Sequence, residues 1–163
     1  MKSKRIVTPV LLAGLLTLWA APAFAATAVE GLPTVVSPSV LADRLAAAPG
    51  SIALLDARPA EAFNAGHIPG AKSRFWKKDI VPEGQPNAGS FRPEADVKAE
   101  LESAGVTATT PVIVYCNTGQ QASELFYTLR YRLGYSNVRL YNGSWLEWSI
   151  TPGLPKEATP PPA

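Results

Sequence analysis

Cys116 is the one cysteine in the sequence, and it stands between an apolar run, Val112-Ile113-Val114-Tyr115, and a small polar loop, Asn117-Thr118-Gly119-Gln120-Gln121. A lone thiol can form no intramolecular disulfide and cannot build a cysteine-based zinc site. It is either buried filler or a reactive group. Free cysteines are among the most buried residues, so filler is the default. The flanking pattern argues the other way. Beyond the loop, Ala122, Leu125, Phe126, Leu129 and Leu133 recur on one face at the helical period. Cys116 therefore sits where a strand hands over to a helix, and there the helix dipole and free loop amides stabilise a thiolate. The residue types and spacing predict a sulfur nucleophile.

The elements that must position this loop are legible in outline. Ser37-Pro38 gives the N-cap and first-turn proline of a helix start. Val40, Leu41, Leu45 and Ala48 supply that helix with an apolar face, and Pro49-Gly50 stops it. Residues 52–55 form a short apolar run ending at Asp56, which suits a strand buried on both faces. A short helix is expected over residues 59–64, closed by Gly66, and His67-Ile68-Pro69-Gly70 reads as a turn. Residues 77–92 carry Pro82, Gly84, Pro86 and Gly89 and are expected to wander without regular structure. Helix follows over 93–104, strand over 112–115 and 138–141, and a short helix over 144–148. From Thr151 onward the chain is Pro-rich and is expected to have no core to join. Short buried strands alternating with amphipathic helices predict an α/β fold with a parallel sheet covered on both faces. Ligands bind such sheets beyond the carboxyl ends of the strands, where Cys116 lies.

The first residues read as an address. Lys2, Lys4 and Arg5 precede an apolar run over residues 6–20, and Ala23-Phe24-Ala25 supplies the small residues of a cleavage site. The apolar run is shorter than the roughly 18–20 residues of a spanning helix. We expect a signal peptide over 1–25, a flexible lead-in over 26–35, one domain over 36–152 and a Pro-rich tail over 153–163, with a periplasmic or secreted product and no membrane attachment after cleavage. Removing 25 of 163 residues leaves 138, enough for one core. The leader holds three of the 15 basic residues and none of the 13 acidic ones, so the mature chain has 12 basic and 13 acidic residues, net −1. The basicity belongs to the leader, and no Lys/Arg cluster suggests a nucleic-acid partner.

Four segments together resemble the rhodanese family: Leu54-Leu55-Asp56-Ala57-Arg58, Gly66-His67-Ile68-Pro69-Gly70-Ala71, Tyr115-Cys116-Asn117-Thr118-Gly119 and Asn142-Gly143-Ser144-Trp145-Leu146-Glu147-Trp148. The resemblance spans residues 36–152. It implies a three-layer fold with a five-stranded parallel sheet flanked by helices, and a single-domain, thiosulfate sulfurtransferase-like activity. Cys116 would take sulfane sulfur from thiosulfate, a polysulfide or a persulfide, and a thiophilic acceptor (cyanide, a thiol or a protein thiol) would remove it. A monomer without cofactor or metal is implied. The alternative is a carrier or non-catalytic domain that relays sulfur to a partner protein.

The loop amides of Asn117, Thr118, Gly119, Gln120 and Gln121 are expected to ring the sulfur. Arg58, Arg74 and Trp76 are candidates to border the substrate, with Asp56 and His67 in support. Arg58 is read either as Asp56's ion-pair partner or as a guide for an anionic donor, and His67 as structural or as a base. Lys77 is placed at the pocket edge or on the surface, Phe75 and Phe91 as an apolar wall, and Trp145 and Trp148 as packing. A cysteine phosphatase would need an arginine six positions after the cysteine, and Ala122 stands there. Thiosulfate enzymes of the family carry cations in and beside the loop, whereas Thr118 and Ala62 are neutral.

Overall fold

The computed structural model describes residues 31–159. The expected signal peptide lies outside the described residues, as does the lead-in up to residue 30. Four strands, β1 (Ala53–Asp56), β2 (Lys72–Ser73), β3 (Val112–Tyr115) and β4 (Val138–Leu140), form one parallel sheet in the order β2-β1-β3-β4. The helices are α1 (Pro38–Ala47), α2 (Ala60–Ala65), α3 (Glu94–Ser103), α4 (Gln120–Tyr127) and α5 (Ser144–Ile150).

The continuous apolar runs become the two central strands because both of their faces are covered. Leu54, Ile113 and Tyr115 point to one face and pack with Leu41 of α1 and Trp148 of α5. Leu55, Val112, Val114 and Cys116 point to the other and pack with Val97 and Leu101 of α3 and Ala122 and Leu125 of α4. The period-2 alternation of the strands thus makes three layers.

The sheet has four strands where five were expected. The fifth position is held by the segment around Val35, joined to β4 by a single parallel bridge to Leu140. Val36 N–H donates to the Leu140 carbonyl (2.9 Å) and Leu140 N–H to that of Thr34 (2.8 Å). Pro33 and Pro38 flank this bridge and offer no N–H, which limits the ladder. The lead-in is therefore docked from Leu32 on, where the carbonyl also accepts from Arg139 Nε (3.0 Å).

Residues 77–92 are irregular as expected, apart from a 3₁₀ turn over Trp76–Asp79. They are nonetheless tied: Val81 N–H donates to Ser90 O (2.8 Å), Gly89 N–H to Val81 O (3.0 Å) and Arg92 N–H to Asp79 O (2.9 Å). After α4 the helix widens into a π turn over Thr128–Arg132, marked by Leu133 N–H donating to Thr128 O (2.9 Å). This slips the expected apolar stripe by one residue, so that Thr128 is fully buried while Leu133 is only partly so.

The expectation that the tail has no core to join is overturned. Leu154 packs against the α1/α5 layer, and Trp148 Nε1 donates to Pro155 O (2.7 Å). Glu157 and His67 exchange both backbone hydrogen bonds (2.8 and 3.0 Å) as an antiparallel bridge. A buried indole N–H needs an acceptor, and the tail supplies it. Deleting residues 153–163 is expected to lower stability by about 1–3 kcal/mol, the cost of orphaning a buried donor. Urea unfolding of the full and truncated chains measures this, and an unchanged midpoint would restore the idle-tail reading.

Candidate active site

The site follows from register. Asp56 pairs with Tyr115 at the carboxyl ends of β1 and β3, so Ala57 and Cys116 leave the sheet side by side. Ala57 N–H still donates to Tyr115 O (2.8 Å), and Trp76 N–H to Ala57 O (3.2 Å). Tyr115 points to the α1/α5 layer and Cys116 to the α3/α4 layer, at the start of α4. The thiol-bearing residue is 1 % exposed.

The loop after Cys116 is shaped from outside by the start of α5. Trp145 N–H donates to Cys116 O (2.9 Å) and Leu146 N–H to Asn117 O (3.0 Å). These first-turn amides lack partners within their own helix, so the loop carbonyls satisfy them. With its carbonyls held on that side, the loop turns Gly119 N–H onto Cys116 Sγ at 3.1 Å. Gly119 has φ +89, and a Cβ there would lie 2.5 Å from Asn142 Oδ1 and 2.7 Å from Asn142 O. Only glycine both adopts this conformation and fits beside Asn142. Asn117, Thr118 and Gln120 are exposed and Gln121 partly so, and all four side chains are neutral.

Of the three residues expected to border a substrate, two turn away from it. Arg58 is 4 % exposed, and its guanidinium binds Asp56 through Nε (3.0 Å to each oxygen) and Nη2 (2.6 Å). Nη2 also donates to Gly66 O (2.7 Å), and the group lies over the rings of Trp145 and Tyr115 at 5.0 and 5.9 Å. Its Nε and Nη2 donors serve bracing, because a buried guanidinium requires a charge partner. Arg74 is 7 % exposed and pairs with Asp79, with Glu100 at 3.7 Å. Trp76 does line open space, and Lys77 Nζ stands 5.8 Å from its ring centroid.

Asp56 and His67 are both engaged with the scaffold. His67 Nδ1 is 2.9 Å from Phe63 O, and the ring stacks on Phe63 at 3.9 Å, which occupies it structurally. Trp145 and Trp148 serve packing, Trp148 being 1 % exposed. Phe75 lines the cleft of Trp76, whereas Phe91 turns onto Tyr127 and under Arg132 and forms no wall with it.

Residues that sequence reasoning gave no role complete the site. Ser144, buried and at φ +55, accepts from Cys116 N–H through Oγ (3.1 Å) and donates to Tyr141 O (2.9 Å). A positive φ at serine is strained and persists only where surroundings enforce it. The tight Asn142-Gly143-Ser144 triplet was the available signal. Tyr115 accepts from Ile68 N–H (3.2 Å), and burial, reinforced by the charge of Asp56, pushes its phenol well above its ordinary range. Glu124 on α4 accepts from Thr128 Oγ1 (3.0 Å). Burial, with the charge of Asp79 added, pushes its carboxyl up to about 7.

Comparison with known proteins agrees with this geometry. Residues 37–151 match the family model described as Rhodanese-like domain. The chain is 38% identical over 94 residues to the sulfur carrier protein TtuD of Thermus thermophilus, covering 58% of this chain and 31% of that protein. It is 38% identical over 125 residues to a thiosulfate sulfurtransferase of Pseudomonas aeruginosa, covering 72% of this chain and 43% of the relative. The chain thus spans well under two thirds of these relatives' length. Among solved structures, YnjE superposes with a TM-score of 0.67 at 26% identity, over 79% of this chain and 32% of YnjE. EanB superposes at 0.65 and 22% identity, over 78% and 32%, and speaks for the fold alone.

Gly119→Ala is expected to cost about 1–2 kcal/mol from the left-handed conformation alone, more once the contact with Asn142 is counted, read from urea unfolding. Glu124 yields a pH dependence. Between the ordinary carboxylate value of about 4.3 and about 7, the folded chain holds a proton that the unfolded chain has released. Stability therefore falls as pH rises through that window and levels off above it. Glu124→Gln should flatten this slope in urea midpoints taken from about pH 5 to 8, and parallel curves for the two proteins would contradict the assignment.

Proposed function

The chain belongs to the rhodanese family, and on that footing we propose that it is a sulfurtransferase carrying sulfane sulfur as a persulfide on Cys116. The Cys116 thiolate attacks the outer sulfur of thiosulfate or a related donor. A new S–S bond forms, and the donor's S–S bond breaks with its electron pair leaving on sulfite. The acceptor, cyanide or a thiolate, then attacks the outer sulfur of the persulfide and returns Cys116 as a thiolate. The observation that carries this reading is the Gly119 N–H at 3.1 Å from Sγ, the one amide of the five expected to ring the sulfur that bonds it, in a loop whose Cys116 and Asn117 carbonyls are taken by Trp145 and Leu146. An amide fixed in advance beside a thiolate stabilises negative charge without reorganisation.

A second reading has its own support. The relative TtuD is named a sulfur carrier, and Thr118, Gln120 and Gln121 place no cation at the loop. A carrier would be loaded and unloaded by partner proteins and would turn over thiosulfate slowly. We place either activity outside the cytoplasm, because residues 1–25 carry the pattern of a cleaved leader, and we take the mature chain as a monomer.

The mature protein incubated with thiosulfate and cyanide is expected to yield thiocyanate, and Cys116→Ser to abolish it. Activity surviving the substitution would remove the mechanism. A wild type inactive on thiosulfate, yet gaining the mass of one sulfur on Cys116 from polysulfide, would select the carrier reading. Sequencing the N-terminus of the protein recovered from the periplasm of an expressing bacterium should give Ala26.

A further inference from the structure

Whatever removes sulfur from Cys116 must first touch the surface around it, and on the α5 side that surface is uncharged. Asn117, Thr118 and Gln120 are exposed on the loop itself, and Asn142 is exposed beside Gly119. Leu146 adjoins them at 54 % exposure, with its amide bonded to Asn117 O (3.0 Å). Ile150 follows one turn on, at 73 % exposure. Residues four apart share one face of a helix, so the two side chains form an apolar ridge that starts at the loop and runs along α5. Glu147 is the one charged residue of α5, and its carboxylate folds back against Gly143.

The reaction itself says what covers this ridge. Cys116 is 1 % exposed, and a persulfide adds only one S–S bond, about 2 Å, to its reach. An acceptor must therefore bring its thiolate to the loop on a slender arm, and the body behind that arm rests on what lies beside the loop. A small anionic thiol meets no cation on the loop or on α5. An uncharged segment of a protein meets Leu146 and Ile150 for its apolar side chains, and Asn117, Thr118 and Gln120 for its backbone. The centres of protein interfaces are depleted in charge in the same way. Of the other exposed large apolar side chains, Phe91, Tyr127 and Tyr131 stack in a row of their own, whereas Leu146 and Ile150 adjoin the sulfur loop.

We propose that the α5 ridge is the docking surface for a protein acceptor, which lays an uncharged, apolar segment bearing a cysteine thiol along Leu146 and Ile150. The inference rests on the sulfur-transfer reading above and names the class of the acceptor. The acceptor thiol gives its proton to solvent, and its thiolate attacks the outer sulfur of the Cys116 persulfide. A new S–S bond forms on the acceptor. The bond to Cys116 Sγ breaks, and its electron pair stays on Sγ, where the Gly119 N–H meets the charge. One short helix thus has two parts to play: its first amides shape the loop, and its exposed row receives the partner.

The probe is an uncharged peptide, acetyl-Leu-Val-Gly-Cys-Gly-amide, with a control peptide in which Glu replaces Leu and Val. Cys116 is loaded from polysulfide, the excess is removed, and loss of the added sulfur is followed by mass spectrometry. The apolar peptide should unload Cys116 about tenfold faster than glutathione or the acidic control. Ile150→Gln should slow the peptide about tenfold while cyanide still unloads Cys116 at the wild-type rate, which also shows that the variant is folded. A peptide no faster than glutathione, or a peptide rate indifferent to Ile150→Gln, would overturn the proposal and leave sulfur transfer intact. A chain that elutes as a dimer, becomes a monomer in Ile150→Gln and keeps its peptide rate would assign the ridge to a second copy and overturn the proposal too. A loaded Cys116 that cyanide does not unload would overturn the sulfur-transfer reading, and the docking surface with it.

Discussion

Two backbone amides at the start of α5, those of Trp145 and Leu146, hold the carbonyls of Cys116 and Asn117, and the rest of the site is arranged around that grip. It fixes the loop's peptide planes, and so the direction in which Gly119 presents its N–H. For α5 to begin there, the chain must leave β4 and turn at once. Tyr141 N–H first bonds Val114 O (2.9 Å), and Ser144 then takes a left-handed conformation while its hydroxyl bridges Cys116 and Tyr141. A side chain at Gly143 would run into Glu147. The Asn-Gly-Ser triplet therefore acts as a hinge post for the cysteine loop, though none of the three is asked to react.

A second layer of constraint lies beneath. Asp56 and Arg58 form a buried pair that ties β1 to Gly66 and Trp145, and Trp145 is the residue whose amide holds Cys116. Breaking a buried pair by removing one partner leaves an uncompensated charge, a cost of about 3–5 kcal/mol, so both members are expected to be kept together. Arg74 and Asp79 do the same for the 3₁₀ turn that carries Trp76. Arg58 looks like an anion receptor from its position but is engaged by Asp56 and Gly66, whereas Arg74 meets Asp79 through Nη2 alone and keeps Nε and Nη1 buried without a partner. Lys77 and Lys78 beside this turn are exposed and have no ion-pair partner among the described residues.

Much of this was written in the sequence. Ser37-Pro38 starts α1, and Ser37 Oγ does accept from Val40 N–H (3.4 Å). The runs 53–56 and 112–115 are strands, and Cys116 stands at the handover from β3 to α4, because strand burial and helix amphipathicity are local patterns that a one-dimensional reading detects. Gly119, at φ +89, fits the same local logic: a tight loop before a helix needs a residue free to take positive φ.

What the sequence could not settle depends on pairs far apart along the chain. That Arg58 and Arg74 are buried follows from the register of β1 with β2 and β3, which sets Asp56 beside Tyr115 and threads Arg74 N–H onto Asp56 O (2.8 Å). That the tail is structural follows from Trp148 needing an acceptor and His67 a partner strand, neither of which shows in its proline-rich composition. The fifth strand shrinks to one bridge because prolines flank it. By itself the sequence singled out the candidate nucleophile, since a lone thiol at a strand-to-helix turn is a local fact. Only the tertiary structure decided which charges are free to meet a substrate, because a charge is free or spent according to what folding packs against it.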